Sequence, residues 1–199
     1  MAERPTRPDA TKERNLRILI VGGIALAIAM ALVVAGRSNR PDLVTADAPN
    51  RSSVPSGVKK FGGLSQDHVQ GVVDYPQTPP VGGPHAGTWQ NCGSYDEPLT
   101  SELAVHSMEH GAVWITYRDD IDDASVTRIN ELADEPYVLA SPWAGDEGLP
   151  SSVVVSAWGR QLEIEDATGD DLASFVRAFA QGEQTPEPGA PCTGGRAEP

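Results

Sequence analysis

Hydrophobic rhythm along this chain changes twice. From Ile18 to Gly36 it runs 19 residues without a charged or strongly polar side chain. A helix rising about 1.5 Å per residue would carry that run about 28 Å, close to the hydrocarbon thickness of a bilayer. A core helix of a soluble domain shows a polar stripe, and this run has none. The pattern predicts a membrane-spanning helix over 17–36, preceded by a tail over 1–16. Residues 37–58 mix Pro, Asp, Ala, Asn and Ser without periodicity, as a flexible stalk does. Residues 59–111 are rich in Gly and Pro and show little helical or strand pattern, so they read as a long arm tied down for a purpose.

Regular periods begin after the arm. Ala112–Tyr117, β-branched and aromatic, predicts a strand. The acidic run Asp119-Asp120-Ile121-Asp122-Asp123 offers N-caps for a helix over Ala124–Ala133, with Val126, Ile129 and Leu132 on one face. Tyr137–Ala140, Ser152–Trp158 and Gln161–Glu165 predict three further strands, with a turn at Gly159-Arg160 before the last. Thr168 or Asp170 would cap a final helix through Leu172, Phe175, Val176 and Phe179, ending near Gly182. The expected fold class is α+β: a membrane-spanning helix, then a small βαββα sandwich carrying a Gly/Pro-rich, histidine-containing N-terminal arm, with the domain over 59–195.

Charge sharpens the topology. The net charge is −13, yet residues 1–40 hold seven basic groups against three acidic ones, so the acidity lies beyond them. A domain that acidic repels phosphate backbones, which excludes nucleic acid as a partner and leaves cations welcome. Five basic residues precede the apolar run, which places the N-terminus in the cytoplasm and the domain outside it. A cleaved secretory signal is the rival reading, although its apolar stretch would be shorter. Both readings put the domain outside the cytoplasm, where the two cysteines, Cys92 and Cys192, are expected to form a disulfide.

Chemistry concentrates in the arm. All four histidines, His68, His85, His106 and His110, fall there, the last two within Val105-His106-Ser107-Met108-Glu109-His110-Gly111. In a helix, His106 and His110 share a face; in an extended chain, His106, Met108 and His110 share a side and Glu109 takes the other. The short distance to the strand near Ala112 favours a turn or extended stretch. Imidazoles with a thioether suit copper, and imidazoles with a carboxylate suit zinc or a non-haem metal. The expected ligands are His85, His106 and His110, with His68, Glu109 and Met108 as further candidates. Two alternatives stay open: histidines that only hydrogen-bond within a loop-rich region, as in an envelope or interaction protein, and a metal-independent hydrolase using Ser94, Ser101 or Ser107. No nucleophile elbow, phosphate loop, dinucleotide fingerprint or haem-attachment motif accompanies them, so the sequence points away from an enzyme.

Tyr75-Pro-Gln-Thr-Pro-Pro80, Gly83-Pro-His85, Trp89, Cys92-Gly93, Tyr95 and Val105–Gly111 together resemble the bacterial family catalogued as domain of unknown function 3105. Ser156-Ala-Trp-Gly159 and the Pro-Gly-Ala-Pro-Cys-Thr193 tail extend the resemblance over about residues 60–195. It implies a single-span or secreted protein with an extracytoplasmic domain and histidines at His85, His106 and His110 beside Glu109. It carries no activity, and its pattern puts other apolar residues at the position of Met108, which weakens a copper–thioether site. The chain is therefore expected to be a membrane-anchored, disulfide-linked domain binding copper or zinc through a histidine cluster.

Overall fold

The computed structural model describes residues 54–144 and 148–199. The tail, the apolar run Ile18–Gly36 and most of the stalk lie outside the described residues. Among the described residues, no helix is long and apolar enough to cross a membrane.

Among the described residues, eleven elements follow in order: β1 (Lys59–Lys60), β2 (His68–Val69), β3 (His85–Ala86), β4 (Gly93–Ser94), α1 (Ser101–Glu109), β5 (Val113–Tyr117), α2 (Asp123–Ala133), β6 (Val138–Pro142), β7 (Val153–Ala157), β8 (Arg160–Ile164) and α3 (Asp170–Phe179). The fold is α+β, and its second half runs β5-α2-β6-β7-β8-α3, a βαβββα succession with one strand more than the expected βαββα. Six strands form one mixed sheet in the order β1-β8-β7-β5-β6-β4, and β2 and β3 form a separate parallel pair. β5 and β6 are parallel because α2 carries the chain back across the sheet, whereas a short turn makes β7 and β8 antiparallel.

Strand alternation sends side chains to two buried faces. Val113, Ile115, Val138, Ala140, Val153 and Val155 pack against Ile129 and Leu132 of α2 and Leu172, Phe175 and Phe179 of α3. Trp114 and Leu139 face the other way, toward Ala104, Val105 and Met108 of α1. With both faces covered, β5 and β7 read as nearly unbroken apolar runs, which is why they were legible.

Helix ends follow local chemistry. The Asp122 side chain accepts from Ser125 N at 2.9 Å, capping α2. That bond, with one from the Ser125 hydroxyl, holds the Asp122 carboxyl below its ordinary range. Neither Thr168 nor Asp170 caps α3. Gly169 is the N-cap and has no side chain to cap with, while the Thr168 hydroxyl donates to Asp166 at 2.5 Å. Asp170 and Asp171 instead sit in the first turn, where they complement the helix dipole, and α3 stops at Phe179 rather than near Gly182. The turn of the last hairpin is Trp158-Gly159, one residue earlier than expected.

The arm departs most from expectation. It supplies both edges of the sheet, β1 and β4, and a whole helix, α1. Two-residue edge strands are too short to show a period. Helix α1 has no solvent face, because Glu102 through Glu109 are all buried. The C-terminal tail is drawn back onto the arm by the disulfide Cys92–Cys192, which spans 100 residues. Backbone bonds reinforce it: Cys92 N to Cys192 O at 2.8 Å, Asn91 N to Arg196 O at 2.8 Å and Arg196 N to Trp89 O at 2.9 Å.

Reducing this disulfide frees a long loop in the unfolded chain, which in the chain-entropy account costs about 5 kcal/mol of stability as an upper limit. Urea unfolding with and without reductant should show a lower midpoint for the reduced protein. An unchanged midpoint would mean that the backbone bonds alone hold the tail.

Candidate metal centre

Helix α1 is capped at its C-terminal end by His110 and followed by Gly111, whose φ of +99° lies in a region that other residues rarely adopt. A Cβ there would strike the Gln181 side chain and Thr185, so the helix terminus and the tail close on each other at a glycine. Within α1 the two faces divide cleanly. Ala104, Val105 and Met108 meet the sheet, and His106, Glu109 and His110, spaced i, i+3 and i+4, share the opposite face.

The arm lies over that opposite face. β2 and β3 pair in parallel with His68 opposite His85 and Val69 opposite Ala86, so the two imidazoles stand side by side. Gly82, at φ +137°, lets the chain pass close to Leu64 and Trp158, where an added Cβ would collide with both. Two residues on, Pro84 O accepts the Tyr75 hydroxyl at 2.7 Å, and His85 follows fully buried, edge-on to the Trp158 indole.

His68, His85, His106 and Glu109 thereby offer four ligand atoms that all lie within 4.8 Å of one another. His85 Nε2 stands 2.9 Å from Glu109 Oε2, and His68 Nε2 stands 3.8 Å from the same oxygen. The His68 and His106 rings stack at 4.8 Å between centroids. Three of the four groups are buried, while the His68 side chain is 53% exposed and forms the rim.

Hydrogen bonds select the tautomers. His85 Nδ1 meets Gly83 O at 2.8 Å, His106 Nδ1 meets Ala86 O at 2.6 Å and His110 Nδ1 meets Pro191 O at 2.7 Å. A carbonyl oxygen only accepts, so each Nδ1 must carry the hydrogen, and each neutral ring presents a bare Nε2 lone pair. His106 and His110 point those lone pairs at each other across 3.0 Å. A proton or a metal ion has to stand there, and one has to stand between His85 Nε2 and the Glu109 carboxylate. His106 is a poor home for the proton: burial above all, with the neighbouring His110, His85 and His68 rings and against the bond it donates to Ala86 O, lowers its pKa from 6.5 to about 4. Metal-binding histidines typically show this arrangement, one nitrogen held by a carbonyl and the other free.

Helical geometry in 101–109 reverses the expected turn or extended stretch and redistributes the candidates. Glu109 joins the histidines. Met108 goes to the sheet side, fully buried among Val105, Ala104 and Trp114. His110 stands beside the set of four rather than within it, with Glu187 Oε2 3.6 Å from its Nε2. The sequence held a helix signal that periodicity missed: Thr100 at the N-cap, Glu102 in the first turn and Gly111 after the end. Glu187 had no signal at all, since it sits on a Pro-rich tail far along the chain. Of the serines, Ser107 donates to Gln90 O at 2.7 Å and Leu103 O at 3.1 Å, and Ser94 donates to Asn130 Oδ1 at 2.5 Å, so neither hydroxyl serves the imidazoles.

The family described as protein of unknown function (DUF3105) matches this chain over residues 68–194, a span that includes every histidine, Glu109, Glu187 and both cysteines. No curated protein matches the chain, and no solved structure does.

The depressed His106 value makes the metal-free protein acid-sensitive. Above pH 6.5 the group is neutral in both states and contributes nothing. Below that, the unfolded chain takes up the proton while the folded chain refuses it down to about pH 4, so stability is lost across this window. The loss amounts to about 3 kcal/mol at most. Urea midpoints measured in chelator between these pH values should fall, and His106→Gln should flatten the fall.

Proposed function

The chain belongs to the DUF3105 family, and from that footing we propose that its domain holds one transition-metal ion on His68, His85, His106 and Glu109. The observation that carries the reading is the convergence of those four ligand atoms within 4.8 Å, with the buried imidazoles held by carbonyls in the ligating tautomer. Zinc is bound by nitrogen and oxygen donors at about 2.0–2.2 Å, so the four groups need only modest contraction around the ion. Three imidazoles and a carboxylate suit zinc or divalent copper. The thioether that would favour cuprous copper is absent from this set, because Met108 packs against the sheet.

An ion here is a bound constituent rather than a catalyst. Three ligands are buried and only His68 reaches solvent, which leaves little room for a substrate beside the ion. The Ser94 and Ser107 hydroxyls are committed elsewhere, which removes support from a hydrolase that would use either. We further propose that the apolar run Ile18–Gly36 anchors the chain in a membrane, with the acidic domain outside the cytoplasm. The run's length, the basic residues before it and the Cys92–Cys192 disulfide support that placement. A metal-holding domain so placed fits uptake, storage or delivery of the ion at the envelope.

Elemental analysis of the full chain purified in detergent should find about one zinc or copper per protein, consistent with one set of four ligands. His85→Ala and Glu109→Ala should each abolish it. If the wild-type protein carries no ion and takes none up on dialysis against either metal, the histidines are structural. For the anchor, the full chain should stay in the membrane pellet through an alkaline carbonate wash, and deletion of residues 1–36 should release it. A wild-type chain that washes off intact would refute the anchor.

A further inference from the structure

His106 Nε2 faces two ways. It lies within 4.8 Å of the ligand atoms of His68, His85 and Glu109, yet its nearest donor is His110 Nε2, at 3.0 Å. Two nitrogens bound at about 2.1 Å to one ion stand about 3.4 Å apart at the tetrahedral angle, so His106 and His110 need to open by only about 0.4 Å to serve as two ligands of one metal. Glu187 supplies the third donor on that side, with Oε2 3.6 Å from His110 Nε2. Its backbone is tied to the same helix end by a bond from Glu187 N to Glu109 O at 3.1 Å. His110 is fixed in turn by Pro191 O at 2.7 Å, one residue before the disulfide-bonded Cys192.

We propose that His106 is shared by two overlapping metal positions, an inner one with His68, His85 and Glu109 and an outer one with His110 and Glu187, and that one ion moves between them. The inference rests on the metal reading above and adds to it a second position and a direction of travel. An imidazole Nε2 has one lone pair, so His106 binds a single ion at a time and both positions cannot use it together. Each position carries one carboxylate, so the ion meets the same formal charge on either side and neither position traps it through charge alone. Movement is a ligand exchange with no change of oxidation state. Bonds from the ion to His68, His85 and Glu109 break as bonds to His110 and Glu187 form, while His106 stays attached and water fills vacated coordination sites. The two positions open to solvent at different residues, His68 at 53% and Glu187 at 55% side-chain exposure, with His85, His106, Glu109 and His110 buried between them. The second position turns a buried metal holder into a conduit from the arm side to the tail side.

The full chain, loaded with zinc and mixed with excess chromogenic chelator, tests this. Wild type should hold one zinc per chain. His110→Ala should still hold one, on the inner ligands, but release it about tenfold more slowly because an exit ligand is gone. Glu187→Gln, a change at an exposed side chain that leaves the fold undisturbed, should slow release in the same direction. Two zinc ions per wild-type chain would overturn the sharing of His106. Unchanged release rates in both variants would overturn the outer position, and so would loss of all zinc in His110→Ala. A wild-type chain with no zinc at all refutes the underlying metal reading instead, so the two failures are distinct.

Discussion

Gly83, Ala86 and Pro191 each turn a carbonyl oxygen toward the Nδ1–H of a buried histidine. Those three bonds come from backbone at three separate places: the approach to β3, β3 itself and the C-terminal tail. Each removes one nitrogen of a ring from competition and leaves the other as a lone pair pointing inward. Burial then disfavours the proton on His106, which leaves its Nε2 lone pair among the other imidazoles and close to the Glu109 carboxylate. Such an arrangement is poorly satisfied as a hydrogen-bond network, since lone pair faces lone pair between His106 and His110. A cation relieves it.

The rest of the fold delivers those carbonyls. The sheet covers one face with α2 and α3, an ordinary apolar arrangement, and gives the other to α1. Because α1 is held by the sheet through Ala104, Val105 and Met108, its far side is free to carry polar groups. The arm and the tail then bury those groups by lying across them. Neither segment has much regular structure of its own, and both are secured by the sheet edges β1 and β4, the β2–β3 pair and the Cys92–Cys192 bond. A long irregular segment in a compact domain needs such fastening, and here the fastening builds the site.

Legibility tracked periodicity. β5, α2, β6, β7, β8 and α3 announced themselves through apolar alternation or helical spacing, and each formed within a few residues of its expected place. The capping of α3 did not, because Thr168 spends its hydroxyl on Asp166 two residues earlier in the chain. Helix α1 was missed for a different reason: its polar positions, Glu102, His106, Glu109 and His110, recur at helical spacing, but Gly and Pro on both sides and the nearby strand suggested a turn or extended stretch. That miss mattered most at the site. Read as extended chain, residues 106–110 group Met108 with the histidines and expel Glu109; wound as a helix, they do the reverse.

By itself the sequence determined the α+β class, the strands and helices from β5 to α3, the family resemblance and the gathering of every histidine into one arm, because each of these is written in residue type and local spacing. Only the tertiary structure decided which donors meet. His68 reaches His85 through strand pairing, both reach Glu109 by the arm's path over α1, and Glu187 reaches His110 across 77 residues because a disulfide returns the tail. Local spacing fixes which face a side chain takes along its own element. The convergence of separate segments depends on the shape of the folded chain, which no short window of residues contains.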